Sequence, residues 1–175
     1  SKKYGRTGWR FGYRDKESPG DLKHRAYPDL WKRSPRPLFT LLERARADAV
    51  REFATAALKA DFRTVLRDVE PVWVVRLIGV QSRAIDEFVV WLLQNVPKFE
   101  QASFRTAGLH DAVLKLLDSP ADSARKYAAD YARTHARDLP VGELVRLSNN
   151  AHDAVRKLAQ DLLGERDPRK DVGLA

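Results

Sequence analysis

The stretch DAVREFATAAL, residues 48–58, returns as DSARKYAADYA at 122–132 and as DAVRKLAQDLL at 153–163. A looser copy, RAIDEFVVWLL, stands at 83–93. The copies align on Phe53, Phe88, Tyr127 and Leu158, which lie 35, 39 and 31 residues apart. Eleven residues before each anchor stands a leucine: Leu42, Leu77, Leu116 and Leu147. Two positions in register through four copies mark a repeat, and a period of this length is that of helical arrays.

Outward from these copies, apolar residues recur at spacings of three and four, so helices are expected throughout residues 28–165. PRPLFTLLERA (35–45), with Pro37 in a first turn, is read as the helix that precedes the first copy. EPVWVVRLIGV (70–80), TAGLHDAVLKLLDS (106–119) and PVGELVRLSNN (140–150) precede the other three. Turns are expected at Glu70-Pro71, Val96-Pro97, Ser119-Pro120, Leu139-Pro140 and Gly164. The repeats then run over about 38–70, 71–100, 103–138 and 140–165, within an array of 27–175 that follows a lead-in of 1–26.

Charges recur in the same register. Asp48, Asp122 and Asp153 stand five residues before their anchors, and Arg51, Arg125 and Arg156 stand two before. In the second copy the order is reversed, Arg83 with Asp86. Opposite charges three apart are helical neighbours worth a few tenths of a kcal/mol. A ligand site does not survive such an inversion, whereas a structural pair, within a helix or between stacked repeats, does, so the pairs are read as structural.

A first helix ending in Leu-Leu, a short turn with Asp, and then "AVRxxAxxxL" resembles the HEAT repeat. The resemblance implies an all-α, right-handed α-solenoid of about four helical hairpins, with an irregular basic segment ahead of it. YPDLWKRSPRPLFTLLERARADAVREFATAALKADF (27–62) further resembles the solenoid portion of large bacterial proteins that join a WGR domain to HEAT-like repeats. Of the WGR domain, a nucleic-acid-binding module elsewhere, only YGRTG (4–8) is similar. The chain starts at Ser1 and contains no Met, so together with this resemblance it is expected to be a piece of a longer protein.

The net charge is +8, and residues 1–37 carry +7 of it, with eleven Lys and Arg against four acids. Charge gathered at one end points to a partner of opposite sign. SKKYGRTGWRFGYRDK (1–16) interleaves Tyr4, Trp9, Phe11 and Tyr13 with basic residues and glycines. Lys2, Lys3, Arg6, Arg10 and Arg14 suit phosphates, and Trp9 suits a base. The same alternation also suits an extended segment that packs as a cap on the first repeat, a role expected of Tyr27 and Trp31 as well.

Catalytic patterns are missing from the sequence. His24, His110, His135 and His152 are scattered, and no metal, triad or phosphate-loop spacing occurs. No cofactor is expected. With no cysteine, disulfides and thiolate chemistry are excluded, and a reducing cytoplasm is the expected setting. No apolar run is long enough to span a membrane. These readings describe a non-enzymatic scaffold whose solenoid meets protein partners, with DNA or RNA at the basic end. The alternative is an enzyme similar to the HEAT-like glycosylases that remove alkylated bases from DNA. It would use Trp73 or Trp91 beside Asp86 or Glu87. Both tryptophans sit in apolar runs, and are read as core.

Overall fold

The computed structural model describes the main chain of residues 3–5 and 8–10, and all of residues 21–23 and 25–166. Among these residues the fold is helical apart from one pair of three-residue strands. β1 (Lys3–Gly5) pairs antiparallel with β2 (Gly8–Arg10), Tyr4 opposite Trp9. The lead-in read as irregular therefore holds a strand pair, in keeping with the strand preference of aromatic residues.

Ten helices follow. They are α1 (Pro28–Trp31), α2 (Arg36–Arg44), α3 (Asp48–Asp61), α4 (Arg63–Arg67) and α5 (Pro71–Ile78). After them come α6 (Arg83–Asn95), α7 (His110–Lys115), α8 (Asp122–His135), α9 (Val141–Ser148) and α10 (Asp153–Gly164). Prolines sit in the first turns of α2 and α5, where a missing N–H costs nothing. α7 is shorter than its sequence period implies. Gly108, at φ 73, turns the chain just ahead of it. Beyond it, Leu116–Asp118 tighten into a 3-10 turn. Ser119 is extended, as a residue before proline prefers to be.

The packing follows the repeat. α2 lies on α3, α5 on α6, α7 on α8 and α9 on α10. The second member of each pair then packs on the next: α3 on α6, α6 on α8, α8 on α10. The recurring positions explain why. Leu42, Leu77, Leu116 and Leu147 are all buried, as are Phe88, Tyr127 and Leu158. One residue beyond the anchors, Ala54, Val89, Ala128 and Ala159 are buried too. These side chains join one continuous apolar core that runs through every hairpin. Each large anchor contributes about 1.5–3 kcal/mol when fully covered. They outweigh the surface ion pairs.

Phe53, the anchor of the first repeat, is only half-buried. Trp31 covers it edge-on, with ring centroids 5.2 Å apart, and the Trp31 indole N–H donates to the Ala26 carbonyl at 3.1 Å. Arg25 ties the lead-in to α3 through a 2.6 Å ion pair with Asp61. Tyr27 departs from its expected capping role. It stands 75% exposed. A left-handed backbone (φ 52) at the start of α1 goes with this placement.

Truncating a seam residue and an exposed one separates these roles. Leu77→Ala is expected to lower the unfolding free energy by about 2–5 kcal/mol. Val145→Ser, at a side chain 49% exposed, changes it by less than about 0.5 kcal/mol. Denaturant titration of both variants measures the difference.

Candidate functional site

Of the six residues read as nucleic-acid contacts, Lys2, Arg6 and Arg14 lie outside the described residues. Lys3, Trp9 and Arg10 are described by their main chain, with Lys3 opposite Arg10 across the strand pair.

The recurring charges form pairs within their helices. Asp48 and Arg51 lie 3.0 Å apart, and Asp122–Arg125 and Asp153–Arg156 pair likewise. Arg125 also donates to the Ser119 carbonyl and Arg156 to the Asn150 carbonyl, each six residues back. These guanidiniums therefore clamp the turn that leads into their own helix. Arg125 is only 5% exposed, so its hydrogen bonds are part of the core.

The reversed repeat behaves differently from the expected Arg83–Asp86 pair. Arg83 pairs with Glu87 at 3.0 Å, one helical turn on. Asp86 is 2% exposed and accepts from the Ser119 hydroxyl of the following hairpin at 2.6 Å. One hairpin earlier, the Ser82 hydroxyl donates to Asp48 at 2.6 Å, and Ser82 also caps α6 by accepting from the Ile85 N–H. Serine-to-aspartate bonds thus join the first hairpin to the second and the second to the third. The inversion places a carboxylate where the other copies carry a guanidinium, and this turns the contact toward the next repeat. Burial pushes the Asp86 carboxyl above the usual aspartate range, the Ser119 hydrogen bond opposes this, and the charge of Asp48 adds to it. Asp86 Oδ1 is buried with no hydrogen-bond partner among the described residues. Asp48 is held below the usual range, mainly by the Ser82 hydrogen bond and also by Arg51, against its own partial burial.

The two tryptophans differ. Trp73 is 9% exposed, and its indole N–H donates to Glu43 at 2.8 Å. It is a core residue with a satisfied polar edge, as read from its apolar run. Trp91 is half-buried, and its ring lies parallel to Phe88 with centroids 6.2 Å apart. The Lys59 ammonium lies 5.3 Å from the Trp91 centroid and 5.7 Å from that of Phe88. The Arg63 guanidinium lies 5.7 Å from Trp91. Burial pushes the Lys59 ammonium down, while the nearby Glu87 acts in the opposite direction. Beside Trp91 a depression of about 90 Å³ is lined by Arg63, Leu66, Arg67, Trp91, Asn95 and Val96. The carboxylate next to Trp91 on α6, Glu87, is engaged by Arg83.

No family model, no curated protein and no solved structure matches this chain.

Two of the histidines, His110 and His135, meet on Tyr131. His110 Nδ1 lies 2.7 Å from the Tyr131 hydroxyl, and the His135 ring stacks on Tyr131 at 5.0 Å. Arg105 braces this corner by donating to the His135 carbonyl at 2.9 Å and to Asp138 at 2.6 Å. Burial, then the charge of Arg105, pushes His110 down toward the neutral form. His152 is exposed at the start of α10, and His24 lies outside the described residues. Among the described residues no group of three or more His, Asp or Glu is placed to hold a metal ion. None of their helices is long and apolar enough to cross a membrane.

Sequence reasoning missed the basic edge beside Trp91. The signal was present, since Lys59, Arg63 and Arg67 stand four residues apart. What the sequence lacked was the ring of another helix that gathers them.

Asp86 gives a pH-dependent prediction. A carboxyl raised on folding favours the fold while protonated, so its stabilisation is present below the unfolded value, near 3.8, and is lost as the pH rises through the folded value. Asp86→Asn keeps an acceptor for Ser119 and removes the charge. It is expected to raise the melting temperature at pH 7 and to leave it unchanged at pH 3, as read by thermal denaturation at the two pH values.

Proposed function

We propose that this chain is a right-handed α-solenoid of about four HEAT-like hairpins, acting as a non-enzymatic scaffold that docks protein partners. The basic N-terminal segment adds a contact to DNA or RNA. The reading rests on one observation above all. The residues just before the repeat anchors, Glu52, Glu87, Lys126 and Lys157, are all exposed. They occupy the same position on α3, α6, α8 and α10, which pack on one another in chain order. They therefore line up across the array as acid, acid, base, base. Packing does not demand charge at a solvated position, and here its sign is segregated by repeat. Such a surface favours a partner whose charges run in the opposite order, and it fixes the register of docking. Glu87 shares its charge with Arg83, so the acidic half rests more on Glu52. The resemblance of residues 27–62 to WGR-associated HEAT arrays supports the same reading.

Affinity capture with the intact chain and with E52K/E87K/K126E/K157E tests it. The intact chain is expected to retain a stoichiometric protein partner that the reversed chain loses while melting at the same temperature. Equal capture by both chains contradicts the proposal.

A further inference from the structure

We propose that the edge formed by Lys59, Arg63 and Arg67 beside Trp91 is a second nucleic-acid contact, one that takes the phosphodiester backbone. It is separate from the N-terminal segment and from the charged column described above.

The first ground is the arrangement of cations. Lys59 ends the basic part of α3, and Arg63 and Arg67 open and close α4. Lys59 and Arg63 both sit over the Trp91 ring, at 5.3 and 5.7 Å. Arg67 and Arg63 line the same depression. A cation over an aromatic face is attracted by the ring's quadrupole, which restricts its side chain in advance. A ligand then binds charges that are already placed, so the ordering cost at the moment of binding falls.

The second ground is the fate of the neighbouring carboxylates. Asp61 is taken by Arg25 at 2.6 Å and Glu70 by Lys98 at 3.4 Å. Glu87 is taken by Arg83 at 3.0 Å. Asp68, next to Arg67 in sequence, forms no ion pair among the described residues. Lys59, Arg63 and Arg67 likewise pair with no carboxylate among the described residues, although Glu87 lies close enough to influence Lys59. Among the described residues, two of these cations over one ring and a third beside the same depression, against the one unpaired carboxylate of Asp68, are a local excess of positive charge.

Size and shape select the ligand class. Small-molecule sites usually occupy about 300–1,000 Å³. This depression, at about 90 Å³, is smaller than such sites and has room for a group the size of a phosphate. Cations spaced by four residues along the chain suit successive charges on a strand. Phosphodiester backbones meet that requirement, and Lys and Arg are the side chains that neutralise them.

The experiment is fluorescence anisotropy of labelled single- and double-stranded DNA with the full chain over a salt series. Three variants accompany it: R63Q/R67Q, R63K/R67K, and K2Q/K3Q/R6Q/R10Q/R14Q. Arg63 and Arg67 are exposed, and circular dichroism checks that each variant keeps its helices. R63Q/R67Q is expected to weaken binding by about tenfold at low salt and to lower the log–log salt slope by about 1.4–1.8, the loss of two phosphate contacts. R63K/R67K, which keeps the charge, is expected to retain most of the affinity. Binding by the intact chain with an unchanged slope in R63Q/R67Q overturns the inference and leaves the N-terminal contact standing. No binding by the intact chain overturns both. Poly-glutamate that competes as well as DNA overturns the assignment to nucleic acid and gives the edge to an acidic protein. Reduced binding by the N-terminal variant alone identifies that segment as the sole contact, and so also overturns the inference.

Discussion

The structure depends on one constraint: no hairpin can bury its apolar face without the next. A pair of helices about 30 residues long has a stripe to hide and too little of itself to hide it with. Here the stripe of each second helix is covered partly by its own first helix and partly by the second helix of the neighbouring repeat. Leu42, Leu77, Leu116 and Leu147 lock the pairs internally, and Ala54, Val89, Ala128 and Ala159 close the contacts beside the anchors. The residues at this last position are small or β-branched.

Polar groups then refine what the apolar seam establishes. The Asp–Arg pairs are mostly exposed on the aspartate side, where ion pairs contribute between nothing and about 1 kcal/mol. Their guanidiniums do more by satisfying turn carbonyls that burial would otherwise leave unpaired. The bonds from Ser82 to Asp48 and from Ser119 to Asp86 act between hairpins, and so oppose slippage of one repeat against the next. The second of these comes with a buried carboxylate, half of whose hydrogen-bonding capacity is unmet. Specific contact between repeats is obtained here at a local cost in stability.

Much of the helical architecture was legible in the sequence because it repeats. The anchors Phe53, Phe88, Tyr127 and Leu158, the leucines before them and the proline turns lie in or between the four helix pairs that pack together. What stayed hidden depended on contacts between residues distant in sequence. Arg83 and Asp86 look like an inverted pair until the turn ahead of α8 brings Ser119 to the aspartate. Tyr27 looks like a capping aromatic, but the turn into α1 sends it outward while Trp31 takes the place over Phe53. Lys59 and Arg63 carry no signal of their own in the sequence, because only α6 places Trp91 beneath them. The register shared by Glu52, Glu87, Lys126 and Lys157 was open to view in the aligned copies, but the exposure of all four was not.

The central claim is that the second helices stand in one open row, and a single distance tests it most directly. The chain has no cysteine, so cysteines introduced at Ala49 and Ala154 take spin labels without background. Both positions are exposed, and they are equivalent sites on α3 and α10. Neighbouring helices pack about 8–10 Å apart, so three steps along an open row predict a label separation of about 25–30 Å. A separation under about 15 Å would mean that α10 folds back on α3 in a closed bundle, and would contradict the account.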